Sequence, residues 1–169
     1  MPAMYGTLDL ANTYFSTRLH STLWTNSSST NKTNALYKAT EIIDALNFKG
    51  SKATVYATLL ADEYALQSTL RVAEAAQELE FPRDADTTVP DAILRACYEI
   101  AFSLLDGVDP DLELENIAIT SQGYAGVKTT YNREQQPIEH IINGIPSPMA
   151  WRLLKPFLRD SNSIKFSRI

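Results

Sequence analysis

Thr88-Val89-Pro90-Asp91-Ala92-Ile93-Leu94-Arg95-Ala96-Cys97-Tyr98-Glu99-Ile100-Ala101-Phe102-Ser103-Leu104-Leu105-Asp106-Gly107 is the stretch that decides the fold. Ile93, Cys97, Ile100 and Leu104 fall in one row of a 3.6-residue helix beside Leu94, Ala101 and Leu105, so one face is continuously apolar. Pro90 sits in the first turn, where a missing N–H costs nothing, and Gly107 ends the helix. A helix with so wide an apolar face has to bury it against other elements.

Working outward, those other elements are also mostly helices. Thr7 caps a short helix with Leu8, Ala11, Tyr14, Phe15 and Leu19 on one face. The polar run from Asn26 to Asn31 offers several caps for a helix over about 30–46, which carries Leu36, Ala39, Ile43 and Leu46 and is closed by Asn47 and Gly50. Residues 53–79 hold Leu59, Leu66, Leu70, Ala73 and Ala76 without Gly or Pro, and are expected to be mostly helix ending before Pro82. Downstream, Asp106 to Glu115 reads as an acidic link. Ile117, Ile119, a Gly123/Gly126 turn, Val127, Thr129 and Tyr131 then predict a small hairpin at about 116–132. A last helix, Ala150 to Leu158, is shortened or bent by Pro156. The expected fold is mainly α: a helical bundle over 1–158 with one small β-hairpin, and an extended C-terminal arm over 159–169.

Composition narrows the function. With 169 residues the chain suits one core, and 44% hydrophobic and 21% charged residues are ordinary globular values. Fifteen Lys and Arg against 20 Asp and Glu give a net charge of -5, which opposes nonspecific binding to phosphates. The N-terminus has no basic segment followed by an apolar run, and no stretch has the ~20 apolar residues of a membrane span. Manufacture in a reducing cytosol is expected, so Asn26-Ser27-Ser28 and Asn31-Lys32-Thr33 read as a polar loop and helix start rather than glycosylation sites. The lone Cys97 lies on the apolar stripe and reads as a small core residue.

Patterns that resemble catalytic or ligand sites fail on their spacing. Gly123 to Thr129 has Val127 where a phosphate loop needs Lys directly after the second Gly, and a strand where it needs a helix. Asp84-Ala85-Asp86 and the Asp106/Asp109/Asp111/Glu113 run lack the central Gly and closing Glu of a calcium loop. His20 and His140 stand in no zinc spacing. Glu139 and His140 are adjacent and point apart, so they read as a surface pair. The expectation is a protein without catalytic residues, metal or cofactor. Trp24, Phe48, Tyr56 and Tyr64 lie near Lys32, Lys38, Lys49 and Lys52, a mixture that suits base stacking over a basic groove. Trp24 and Phe48, however, follow directly on amphipathic helices, where aromatics close a core, and the core reading is favoured.

Several segments, taken in order, resemble a family found in tailed bacteriophages. They are Tyr5-Gly6-Thr7, Ala11-Asn12-Thr13-Tyr14-Phe15, Trp24, Ala39-Thr40-Glu41-Ile42-Ile43-Asp44-Ala45-Leu46-Asn47-Phe48-Lys49-Gly50, Phe81-Pro82-Arg83, Val89-Pro90-Asp91-Ala92-Ile93 and Ala150 to Leu158. Such sequences are catalogued as DnaT-like single-stranded DNA-binding proteins and are also similar to head-to-tail connector adaptors. The adaptor reading is preferred and the DnaT-like reading is the alternative. Resemblance to adaptors implies a virion protein of the neck, made in the host cytoplasm. It would form a homo-oligomeric ring of twelve copies between the portal protein and tail or nozzle proteins, with DNA only as cargo through the lumen and no membrane. It also implies that the arm binds the portal, through Ile164, Phe166, Arg168 and Ile169. Residues 53–80 depart from the family pattern, being longer and more helical than the corresponding stretch.

Overall fold

A computed structural model describes residues 3–118, 121–124, 127–130 and 139–159, with side chains described outside 116–138. The described part is mainly helical, as expected. Its helices are α1 (Leu8–Thr17), α2 (Thr22–Asn26), α3 (Ser29–Asp44), α4 (Ala53–Ala61), α5 (Gln67–Ala76), α6 (Asp91–Leu105), α7 (Pro110–Ala118), α8 (Glu139–Ile142) and α9 (Pro148–Leu154). One antiparallel hairpin pairs β1 (Ser121–Tyr124) with β2 (Val127–Thr130), in the register Tyr124↔Val127 to Ser121↔Thr130.

Helix α6 is the axis of the molecule, packed mainly between α3 and α9, with α1 and α2 closing one side. Its row Ile93, Cys97 and Ile100, with Ala96 and Ala101, is buried. Leu36, Ala39 and Ile43 meet it from α3, and Ala150 and Leu154 from α9. The aromatic end is Phe15 stacked on Trp24 at 4.3 Å between ring centroids and on Phe102 at 5.5 Å. The Trp24 indole N–H donates to Asn12 Oδ1 at 2.9 Å, so the buried ring has no unmet donor.

Local chemistry fixes the helix ends. The Thr7 hydroxyl accepts from Leu10 N and the Ser28 hydroxyl from Asn31 N, both N-caps. Pro156 falls in a short 3-10 turn, Lys155–Phe157, which ends α9 at Leu154. Gly50 has φ +72°, and a Cβ there would collide with the Asp84 carboxylate, which accepts from Ser51 N at 2.9 Å.

Residues 53–79 are mostly helix, as expected, in two pieces: Asp62 ends α4, and its side chain accepts from Tyr64 N at 3.0 Å in an Asx turn that reverses the chain. Two expectations are corrected. The acidic link contains helix α7. Asp109 Oδ1 accepts from Asp111 N at 3.0 Å, Pro110 starts the helix, and Asp111 and Glu113 lie in its first turn, where the helix dipole favours acids. The hairpin is correspondingly tighter than expected: Ile117 belongs to α7, and Gly123 lies within β1 rather than in the turn.

Candidate interaction surface

The α4–α5 unit is built unlike the rest of the molecule. Among the described residues its two helices pack mainly on each other, and neither has a buried residue. Leu60, Tyr64, Leu66 and Val72 are between 72% and 88% exposed, and Tyr56 and Leu59 are 36% and 37% exposed. Nine consecutive residues of α4, Ala53 to Ala61, carry no charge. In a helix with one core-facing stripe the other face is normally polar. In α4 the apolar side chains spread around the helix, so packing it on α5 leaves apolar surface uncovered.

A polar neck holds this hairpin to the body. The Lys52 ammonium donates to Gln77 O at 2.9 Å and lies 3.5 Å from the Glu80 carboxylate. The Gln77 amide donates to Leu79 O at 2.9 Å and Pro82 O at 2.8 Å. Arg83 completes the clamp: it donates to Lys49 O and Gly50 O, each at 2.8 Å, pairs with Glu80, and lies near the Phe48 and Phe81 rings. The Phe81–Pro82 peptide beside it is cis.

At the base of the neck, the buried Tyr5 hydroxyl donates to the Asp44 carboxylate and accepts from Phe81 N at 3.2 Å. Asp44 also accepts from Glu80 N at 3.3 Å. Burial and then the bond to Asp44 push the Tyr5 phenol far above its ordinary value. Burial likewise raises the Asp44 carboxyl, against the lowering effect of its hydrogen bonds. The N-terminal segment, the end of α3 and the return strand from the hairpin are thus joined at one polar point inside the core.

The base-stacking constellation does not assemble. Trp24 and Phe48 are each 2% exposed and belong to the core, while Tyr56 and Tyr64 ride on the hairpin. Lys32 lies over the Trp24 ring at 5.6 Å, Lys38 pairs with Glu41, and Lys49 donates to Pro156 O at 3.2 Å. The remaining candidates stand apart from one another. Cys97 is fully buried, its Sγ 3.7 Å from Thr40 Oγ1, and burial pushes the thiol up to about 12. Glu139 forms a salt bridge with Lys155 at 2.6 Å and accepts from the Trp151 indole at the surface. Asp84 and Asp109 serve as backbone acceptors. Among the described residues no group of three or more His, Cys, Asp or Glu is arranged to hold a metal ion, and no helix is long and apolar enough to cross a membrane. The arm residues Ile164, Phe166, Arg168 and Ile169 lie outside the described residues.

Two features escaped the sequence reading. The exposed apolar hairpin has a signal, the charge-free run of α4, but a charge-free run reads equally as core. The pairing of Arg18 with Glu99 has none: the two are 81 residues apart.

A family model described as "Putative DnaT-like ssDNA binding protein" matches residues 4–169. Neither a curated protein nor a solved structure matches the chain.

Proposed function

This chain belongs to the family described as putative DnaT-like ssDNA binding proteins, and from that premise we propose that it is a structural protein of a bacteriophage virion: a head-to-tail adaptor without enzymatic activity or cofactor. In this reading copies of the chain form a ring in the neck, joined to the portal on one side and to tail or nozzle proteins on the other, with DNA passing through as cargo. The observation that carries it is the α4–α5 hairpin. A projecting element with no buried residue and several large apolar side chains in water is stable in function only when another protein surface covers it. Six of the fifteen Lys and Arg side chains are held in ion pairs, and the net charge of -5 opposes a groove that tracks phosphates.

The second reading, binding of single-stranded DNA, is favoured by the family description. Two measurements separate the readings. Quantitative peptide mass spectrometry of purified particles should count about one copy per portal subunit for an adaptor, and none for a protein that works only in replication. Fluorescence anisotropy with a labelled oligonucleotide should show no binding for an adaptor. A DNA-binding protein would bind with an affinity that falls steeply with salt, and more weakly when Lys49 and Lys52 are both changed to Ala.

A further inference from the structure

Where α3 and α6 end side by side, a groove of about 580 Å³ opens on the surface. Its apolar floor is Ile42 of α3, Ala45 just after it, Leu104 of α6 and Val108 of the following turn, and its lip carries Asp109 just before α7 and Asp111 in its first turn. Asp109 spends one oxygen on backbone N–H groups, whereas the exposed Asp111 carboxylate enters no ion pair among the described residues. The one cation on the wall, Lys38, is already paired with Glu41 at 2.9 Å. An apolar floor beside an anionic lip fits an extended segment that carries apolar and cationic side chains close together.

The chain carries such a segment. Ile164-Lys165-Phe166-Ser167-Arg168-Ile169 ends the sequence, with Ile164 and Phe166 two residues apart and therefore on one face when extended. The place where the described chain ends puts it within reach. Arg159 N donates to Asn47 O at 2.9 Å, and Leu158 bridges Phe48 in antiparallel fashion. Asn47 lies two residues beyond Ala45 on the groove floor, a span of no more than ~7 Å, while the ten residues after Arg159 reach ~33 Å when extended. Tethering at this distance supplies an effective concentration on the order of millimolar, which makes weak docking measurable.

We propose that residues 160–169 dock in cis in this groove, Ile164 and Phe166 against its apolar floor and Arg168, on the same face, toward Asp109 and Asp111 at the lip. The inference does not rest on the adaptor reading. If that reading holds, the groove keeps the arm on its own body until a portal displaces it. Hydrogen–deuterium exchange on the full chain tests the docking. Amides of residues 42–46 and 106–109 should exchange several-fold faster in Phe166→Ser and in a chain ending at Arg159. A peptide of residues 160–169 added to the shortened chain should restore the slow exchange. Asp111→Lys should speed exchange alone, and Arg168→Asp in the same chain should slow it again, with thermal melts reporting that each variant stays folded. Equal exchange in the full chain and in Phe166→Ser would overturn the proposal. So would protection that grows with protein concentration, which would assign the arm to a second copy. The copy number in particles is read separately, so either idea can fail alone.

Discussion

Glu99 is a carboxylate with 1% exposure in the middle of the principal helix, and its environment explains why it is tolerated. Arg18 donates to both of its oxygens, at 2.7 and 2.9 Å, and the Tyr14 hydroxyl donates to Oε1 at 2.6 Å. The guanidinium also lies 4.3 Å from the Phe102 ring centroid. The bonds from Glu99 hold Arg18 above its ordinary value, and burial with the Glu99 bond raises Tyr14. Removing one partner strands a buried charge, so Arg18→Ala should destabilise the protein by about 3 kcal/mol, and Arg18→Met with Glu99→Leu by clearly less, as read by urea unfolding. At Asp44 the sign is opposite to that of a salt-bridged acid. Burial raises its carboxyl, so the folded chain keeps this proton to higher pH than the unfolded chain. Its contribution is fully present below the ordinary aspartate value of 3.8 and is lost as pH rises through the higher folded value. Asp44→Asn should therefore flatten the pH dependence of stability above pH 3.8 in chemical unfolding series at stepped pH. Cys97, raised by burial, should resist alkylation by a thiol reagent until the protein unfolds. That Cys97 is core was legible from its helical row. The partner of Glu99 was not, because ion pairs between distant residues leave no periodic trace.

At the scale of elements, α4 and α5 form the hairpin whose side chains have least to do with the core. Leu60→Ser with Leu66→Ser should leave the stability of the isolated chain within about ±0.5 kcal/mol, since both side chains are already in water. In the adaptor reading the same pair of changes should abolish incorporation into particles, measured by the same peptide count. The reading of 53–79 as mostly helix holds, but its composition carries no sign of the reversal between α4 and α5, which is made by the Asp62 side chain accepting from the backbone N–H two residues on. α7 was misread for a different reason. A cluster of acids suggests solvated coil, yet acids in a first turn behind a capping Asp and a Pro are how a helix begins.

At the scale of the whole molecule, stability should reside in the α3–α6–α9 packing. Ile100 is fully buried there, so Ile100→Ala should cost about 2–5 kcal/mol in thermal or chemical unfolding, against almost nothing for the double change on α4–α5. The sequence by itself determined the mainly helical class, the cap at Thr7, the apolar row of α6 and the core placement of Trp24 and Phe48. Each of these follows from spacing and turn chemistry within a few residues. Only the tertiary structure decided that 53–76 projects as an exposed hairpin, that Arg83 and Gln77 tie its neck, that Tyr5, Asp44 and Phe81 meet in the core, and that a groove with an acidic lip lies near Arg159, the last of the described residues. Those depend on which apolar faces find partners and which do not. That is settled by competition among all the elements at once, and no single segment carries it.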